Sequence, residues 1–144
     1  MFKEILISMT YCFIASWFFA CIMHAPRKAL LPSAFAASMG YMVFFVFIEL
    51  NEPRLGYFFG TLLVATFGEF FAKRLKMLST IFIFPGVIPI VPGFDLYQTL
   101  SALVLGDFNN ALVTGANAIL NIGAMSIAIA IVGFIRKRGD GQTV

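Results

Sequence analysis

Charge is what this sequence has least of. Only 12% of its 144 residues are charged, against 60% hydrophobic, and the mean hydropathy is +0.93. Soluble domains carry about 25% charged and roughly 45–50% apolar residues, so water is excluded as the main solvent. The chain has one histidine, His24, and two cysteines. That inventory offers neither a metal-ligand set nor a Ser/His/acid or Cys/His catalytic group. No phosphate-binding glycine loop appears either; Gly56-x-x-x-Gly60 reads as a packing motif. No enzyme, cofactor or metal is therefore expected. Cys12 and Cys21 share one apolar run, and nine helical residues would separate them by about 13 Å. A disulfide needs Cα atoms within about 7 Å, so both read as unpaired. The net charge of +3 is spread over short basic clusters between apolar runs, the pattern of membrane-protein loops, and no nucleic-acid partner is expected. Nor is a cleavable leader: Glu4 offsets Lys3, and no A-x-A-like site follows the first run.

What the chain does have is long apolar stretches. A bilayer-spanning helix needs about 20 apolar residues, and five such stretches can be drawn: Ile5 to Met23, Leu30 to Leu50, Leu55 to Ala72, Met77 to Leu105 and Ala111 to Ile135. The expected fold is all-α, one transmembrane domain of five segments in a lipid bilayer. The fourth stretch, interrupted by prolines, either crosses or dips in and returns. The bias of Lys and Arg toward cytoplasmic loops favours crossing. Five spans gather Arg27, Lys28, Lys73, Arg74, Lys76, Arg136, Lys137 and Arg138 on one side and leave Lys3 and Arg54 on the other. That arrangement puts the N-terminus outside and the C-terminus in the cytoplasm of a cell (inner or plasma) membrane. Small residues at helical spacing, Ala36 and Gly40 in the second stretch and Gly56, Gly60 and Gly68 in the third, mark close helix contacts, within the chain or against a second subunit.

The chemistry concentrates in the fourth and fifth stretches. Pro85, Gly86, Pro89, Pro92 and Gly93 fall within nine residues. An interior proline removes a donor and clashes with the carbonyl four residues back, at about 3 kcal/mol, so the carbonyls of Ile81, Pro85 and Ile88 are stripped or strained. Irregular backbone at membrane depth is tolerated where it is buried in protein or lines a watery cavity, as in broken transporter helices. The half-helix after the break is placed for Asp95 to cap it and for Tyr97 to offer a hydroxyl. Asn110, Thr114, Asn117 and Asn121 draw one polar stripe along the fifth helix. Pro85, Gly86, Pro89, Pro92, Gly93, Asp95, Tyr97, Asn117 and Asn121 are thus the candidates for a substrate path, against a plain reading of kink and interhelical hydrogen bonds. Glu69, an intramembrane carboxylate, is the candidate proton carrier, against an ordinary i,i+4 pair with Lys73. His24 reads as an interface anchor.

The run Pro85-Gly86-Val87-Ile88-Pro89-Ile90-Val91-Pro92-Gly93, followed by Tyr97, resembles the signature of the threonine/serine exporter (ThrE) family, and in particular its small, separately encoded membrane subunit. The loop Ala25 to Leu30, the glycine-bearing third helix and the Arg136-Lys137-Arg138 end match as well. The resemblance implies half of a two-component exporter. A larger ThrE-like membrane subunit would be its hetero-oligomeric partner, and a hydroxy amino acid or a C4 dicarboxylate such as succinate its small polar substrate. The drive would be the membrane potential or a proton gradient. Two rival functions are a self-associating, channel-like homo-oligomer and a non-transporting assembly subunit.

Overall fold

The computed structural model describes residues 2–140, with side chains over 3–138. It is built of helices only: α1 (Phe2–Ile22), α2 (Arg27–Glu49), α3 (Pro53–Leu75), α4 (Thr80–Val87) continued by a 3₁₀ turn over Ile88–Ile90, α5 (Gly93–Val104) and α6 (Phe108–Asp140). The helices overrun the apolar stretches by a few residues at most ends, because backbone hydrogen bonding continues past the hydrocarbon boundary until a stop signal intervenes. The stops are alike. His24, Asn51, Lys76 and Gly106 each take positive φ (55°, 59°, 54° and 76°). The next N–H in each case reaches back five residues: Ala25 to Ala20, Glu52 to Phe47, Met77 to Ala72 and Asp107 to Ala102, at 2.9–3.0 Å. These are Schellman closures, which satisfy the orphan carbonyls at a helix end and reverse the chain within a few residues.

Four helices, α1, α2, α3 and α6, are long and apolar enough to cross a membrane, and the bent pair Thr80–Ile90 and Gly93–Val104 is apolar enough to be one further, broken span or a re-entrant loop. The bend of 59° leaves the second leg advancing in the direction of the first. With about 1.5 Å of rise per residue, the two legs together traverse roughly 26 Å, close to the hydrocarbon thickness of about 30 Å. An ion pair settles the choice between crossing and returning. Arg136 Nη1, near the end of α6, lies 2.7 Å from Glu69 Oε2 near the end of α3, and it donates to Ser79 Oγ at the start of α4 at 3.1 Å. The end of α6 therefore sits beside the end of α3, which requires the segment between them to cross. A re-entrant loop would have carried the end of α6 to the opposite side.

The core lies where α2 and α3 face each other with α4 laid into their groove. Ala36, Phe44, Val64, Ala65, Ile83, Val87, Ile90 and Met125 form its main cluster. Ala29, Ala72 and Phe82 form a second one at the end where the basic residues gather. Small residues permit the approach: a Cβ on Gly60 would stand 2.9 Å from the Gly40 carbonyl oxygen, and one on Gly68 would stand 2.6 Å from Ile83 Cγ1. The glycine and alanine spacing thus serves packing inside the chain. Gly60→Ala is expected to lower stability by about 2 kcal/mol, since overpacking costs about 1–3 kcal/mol and the obstructing atom is backbone. Gly133→Ala, with nothing within 4 Å of its Cβ, should be neutral or mildly stabilising. Thermal unfolding in detergent micelles compares the two; equal effects would contradict the close α2–α3 approach.

Helices α1 and α6 are peripheral and expose apolar side chains such as Ile22, Phe18, Leu112 and Ile119, as lipid-facing surfaces do. Helix α5 is the outlier. Its only neighbour among the described elements is α6.

Candidate functional site

The break itself divides into two environments. Pro85 and Gly86 belong to the half buried against α2 and α3, where a Cβ on Gly86 would come within 2.5 Å of Val64 Cγ1. Pro92 is buried and Pro89 half-buried, whereas Gly93 is exposed with open space around it. The backbone turns without leaving Ile88 stranded: its carbonyl accepts the Val91 N–H at 3.3 Å, and the Gly93 N–H folds onto the Val91 carbonyl at 2.7 Å. Of the path candidates, Pro85, Gly86 and Pro92 are buried at the bend, and the exposed or half-buried polar side chains lie beyond it.

Those side chains belong to the antiparallel hairpin of α5 and α6. Asn121 Nδ2 donates to Asp95 Oδ2 at 3.0 Å. One turn along, the Thr99 and Thr114 hydroxyls stand 3.0 Å apart. Each is also near the carbonyl four residues back on its own helix, Asp95 O at 2.7 Å and Asn110 O at 2.9 Å. The two hydroxyls carry two protons and four lone pairs, and their mutual bond takes up at most one of those lone pairs, so acceptor capacity is left over. Asp95 departs from the capping role expected of it. Pro92 occupies the N-cap position with no side-chain cap bond, and because α5 already starts at Gly93, Asp95 falls in the first turn and faces α6.

Asn121 is buried and Asp95 half-buried, while Asn117 and Tyr97 are exposed. Asp95 also lies within electrostatic reach of the Tyr57 hydroxyl on α3. Toward the hairpin turn, an open groove of about 300 Å³ is lined by Phe94, Tyr97, Gln98, Ser101, Ala102, Leu105, Asp107 and Asn110. Asn117 sits about 13 Å along α6 from its start at a rise of about 1.5 Å per residue, which is near mid-membrane. Glu69 stands apart from this site. It is paired with Arg136 at the opposite end of α6, with 13% of its side chain exposed and 34% of the arginine's.

Sequence reasoning singled out Asp95 and Asn121 separately but did not pair them, and it missed Thr99. The signal was present: Asp95 and Thr99 are four apart on one helix, and an antiparallel turn near Gly106 carries them onto Asn121 and Thr114. The Glu69–Arg136 contact spans 67 residues and leaves no local trace. Among the described residues, no cluster of His, Cys, Asp and Glu is placed to hold a metal ion.

A bundle of apolar helices long enough to cross a membrane, one of them broken, is the architecture of a multi-pass membrane protein. The chain belongs to the threonine/serine exporter (ThrE) family, whose model, "Threonine/Serine exporter, ThrE", matches residues 8–135. No curated protein and no solved structure matches it.

Proposed function

We propose that this chain is one membrane half of a two-component secondary exporter, and that its substrate passes along the α5–α6 seam. The observation that carries this reading is Asp95. An ionisable side chain deep in a span almost always faces protein or water, because its exposure to hydrocarbon is unfavourable by several kcal/mol. Here the carboxylate is half-open on α5, a helix packed against α6 alone. Exposed Asn117 and Gln98 extend the same polar surface. Lipid is a poor cover for it, and a second subunit with a polar face of its own would enclose a watery path. A larger ThrE-like subunit is the partner the family suggests, and hydroxy amino acids and C4 dicarboxylates are the substrate classes to test.

In this reading the N-terminus is outside and the basic end of the bundle cytoplasmic, in accord with the positive-inside bias. Helix α5, held only by α6, is the element free to shift as access alternates, with the bend at Val91–Pro92 as its hinge. The test is export of labelled threonine and succinate from cells expressing this chain with and without a ThrE-like large subunit. Export only when both are present is the expected result. Export by this chain alone would replace the two-component reading with a self-sufficient oligomer.

A further inference from the structure

We infer that Asp95 is the specificity-determining group of the seam: its carboxylate receives the ammonium group of the transported molecule, so that amino acids are admitted and dicarboxylates refused. This rests on the seam being the transport path.

The charge inventory argues for it. From residue 77 to residue 135, which includes all of α4 and α5 and most of α6, the chain contains no Lys, Arg or His. The charged side chains of the seam and its groove are Asp95 and Asp107, both acidic. Every basic residue from Lys73 to Lys76, and again from Arg136 on, belongs to the other end of the bundle, where Arg136 meets Glu69. A dicarboxylate entering the seam would place two further negative charges beside Asp95 with no cation from this chain to answer them, an arrangement that like-charge repulsion disfavours.

The hydrogen bonding points the same way. Asp95 Oδ2 accepts one neutral amide N–H, from Asn121 at 3.0 Å, and Oδ1 accepts none among the described residues. A carboxylate in such a place ordinarily has a positive partner. The amide of Asn121 orients the group without neutralising it, which leaves an aligned acceptor for a cation. A zwitterionic amino acid supplies that cation as part of itself. The hydroxyl pair Thr99–Thr114, one turn away with a lone pair to spare, suits a small polar side chain on the same molecule. Asn121 is in this account a positioning residue, and Asp95 the one that touches substrate.

The experiment is counterflow in proteoliposomes containing the complex purified on a tag carried by this chain. Labelled threonine and labelled succinate are compared, with 2,3-dihydroxybutyrate, in which a hydroxyl replaces the ammonium, as competitor. The expected result is threonine flux that neither succinate nor the deaminated analogue inhibits. Asp95→Asn is expected to raise the threonine KM roughly ten- to hundredfold, the weight of one charged hydrogen bond, and to weaken the exclusion of succinate. Asp95→Glu, which keeps the charge, should retain the preference, and so separates lost recognition from a misfolded variant. Succinate carried as well as threonine, or an unchanged threonine-to-succinate ratio in Asp95→Asn, would overturn the assignment while leaving the path in place. Sodium-dependent flux made sodium-independent by Asp95→Asn would also overturn it, by giving the carboxylate to a coupling ion. No flux of either substrate by the wild-type complex would sink the path reading and this one with it.

Discussion

Replacing Pro85, Pro89 and Pro92 together with alanine is expected to abolish export while leaving membrane insertion intact. Each proline inside a helix is unfavourable by about 3 kcal/mol relative to alanine, so three removals make an unbroken helix from Thr80 to Val104 the favoured local structure. The 59° bend is what lays α5 on α6. Straightened, α5 would diverge from it, and the Asp95–Asn121 and Thr99–Thr114 contacts would part. A disulfide between Thr99→Cys and Thr114→Cys, in a background without Cys12 and Cys21, reports the geometry directly. The two hydroxyls stand 3.0 Å apart, so the two side chains face each other across the seam, the arrangement a cross-link requires. The cross-link should form in the proline-containing chain and fail in the triple variant. Normal export by the triple variant would show that the bend is packing alone.

The second large effect concerns Glu69. Its replacement by alanine should destabilise the bundle by about 2 kcal/mol. Breaking a fully buried ion pair costs about 3–5 kcal/mol because a charge is left without its partner. The lower figure reflects Arg136, one-third exposed and still bonded to Ser79. The loss should appear as a lower midpoint of thermal unfolding in detergent. Combining Glu69→Arg with Arg136→Glu should recover part of it, whereas either swap alone places two like charges in contact and should be worse than alanine. No recovery in the double swap would mean that the carboxylate acts through something other than its pair, and would return weight to a proton-carrying role for Glu69.

Both effects come from contacts between distant parts of the chain, and that marks how far the sequence reaches. The all-α class, the apolar spans and the break were legible because each rests on local chemistry. A run such as Ile5 to Met23 cannot leave its backbone unpaired in hydrocarbon, and Pro89 and Pro92 cannot sit comfortably in a continuous helix. The crossing of the fourth span was legible too, through the basic clusters at Arg27-Lys28, Lys73 to Lys76 and Arg136 to Arg138. The Arg136–Glu69 contact now gives it a geometric reason.

Side-chain partnerships were not legible. Asp95 looked like a cap because a carboxylate beside a helix start often is one; with Pro92 at the N-cap instead, three residues earlier, it turns toward Asn121. Glu69 had Lys73 one turn away as an obvious neighbour, while Arg136, 67 positions on, became its partner only because α3 and α6 run parallel. The burial of Gly86 against Val64 was not legible either, because it depends on how α4 seats between α2 and α3. Local sequence determined which segments are helical, where the fourth one breaks and which end is basic, because propensity and desolvation act residue by residue. Which polar groups meet was decided by the tertiary structure alone, because that depends on the register of helices that only packing can set.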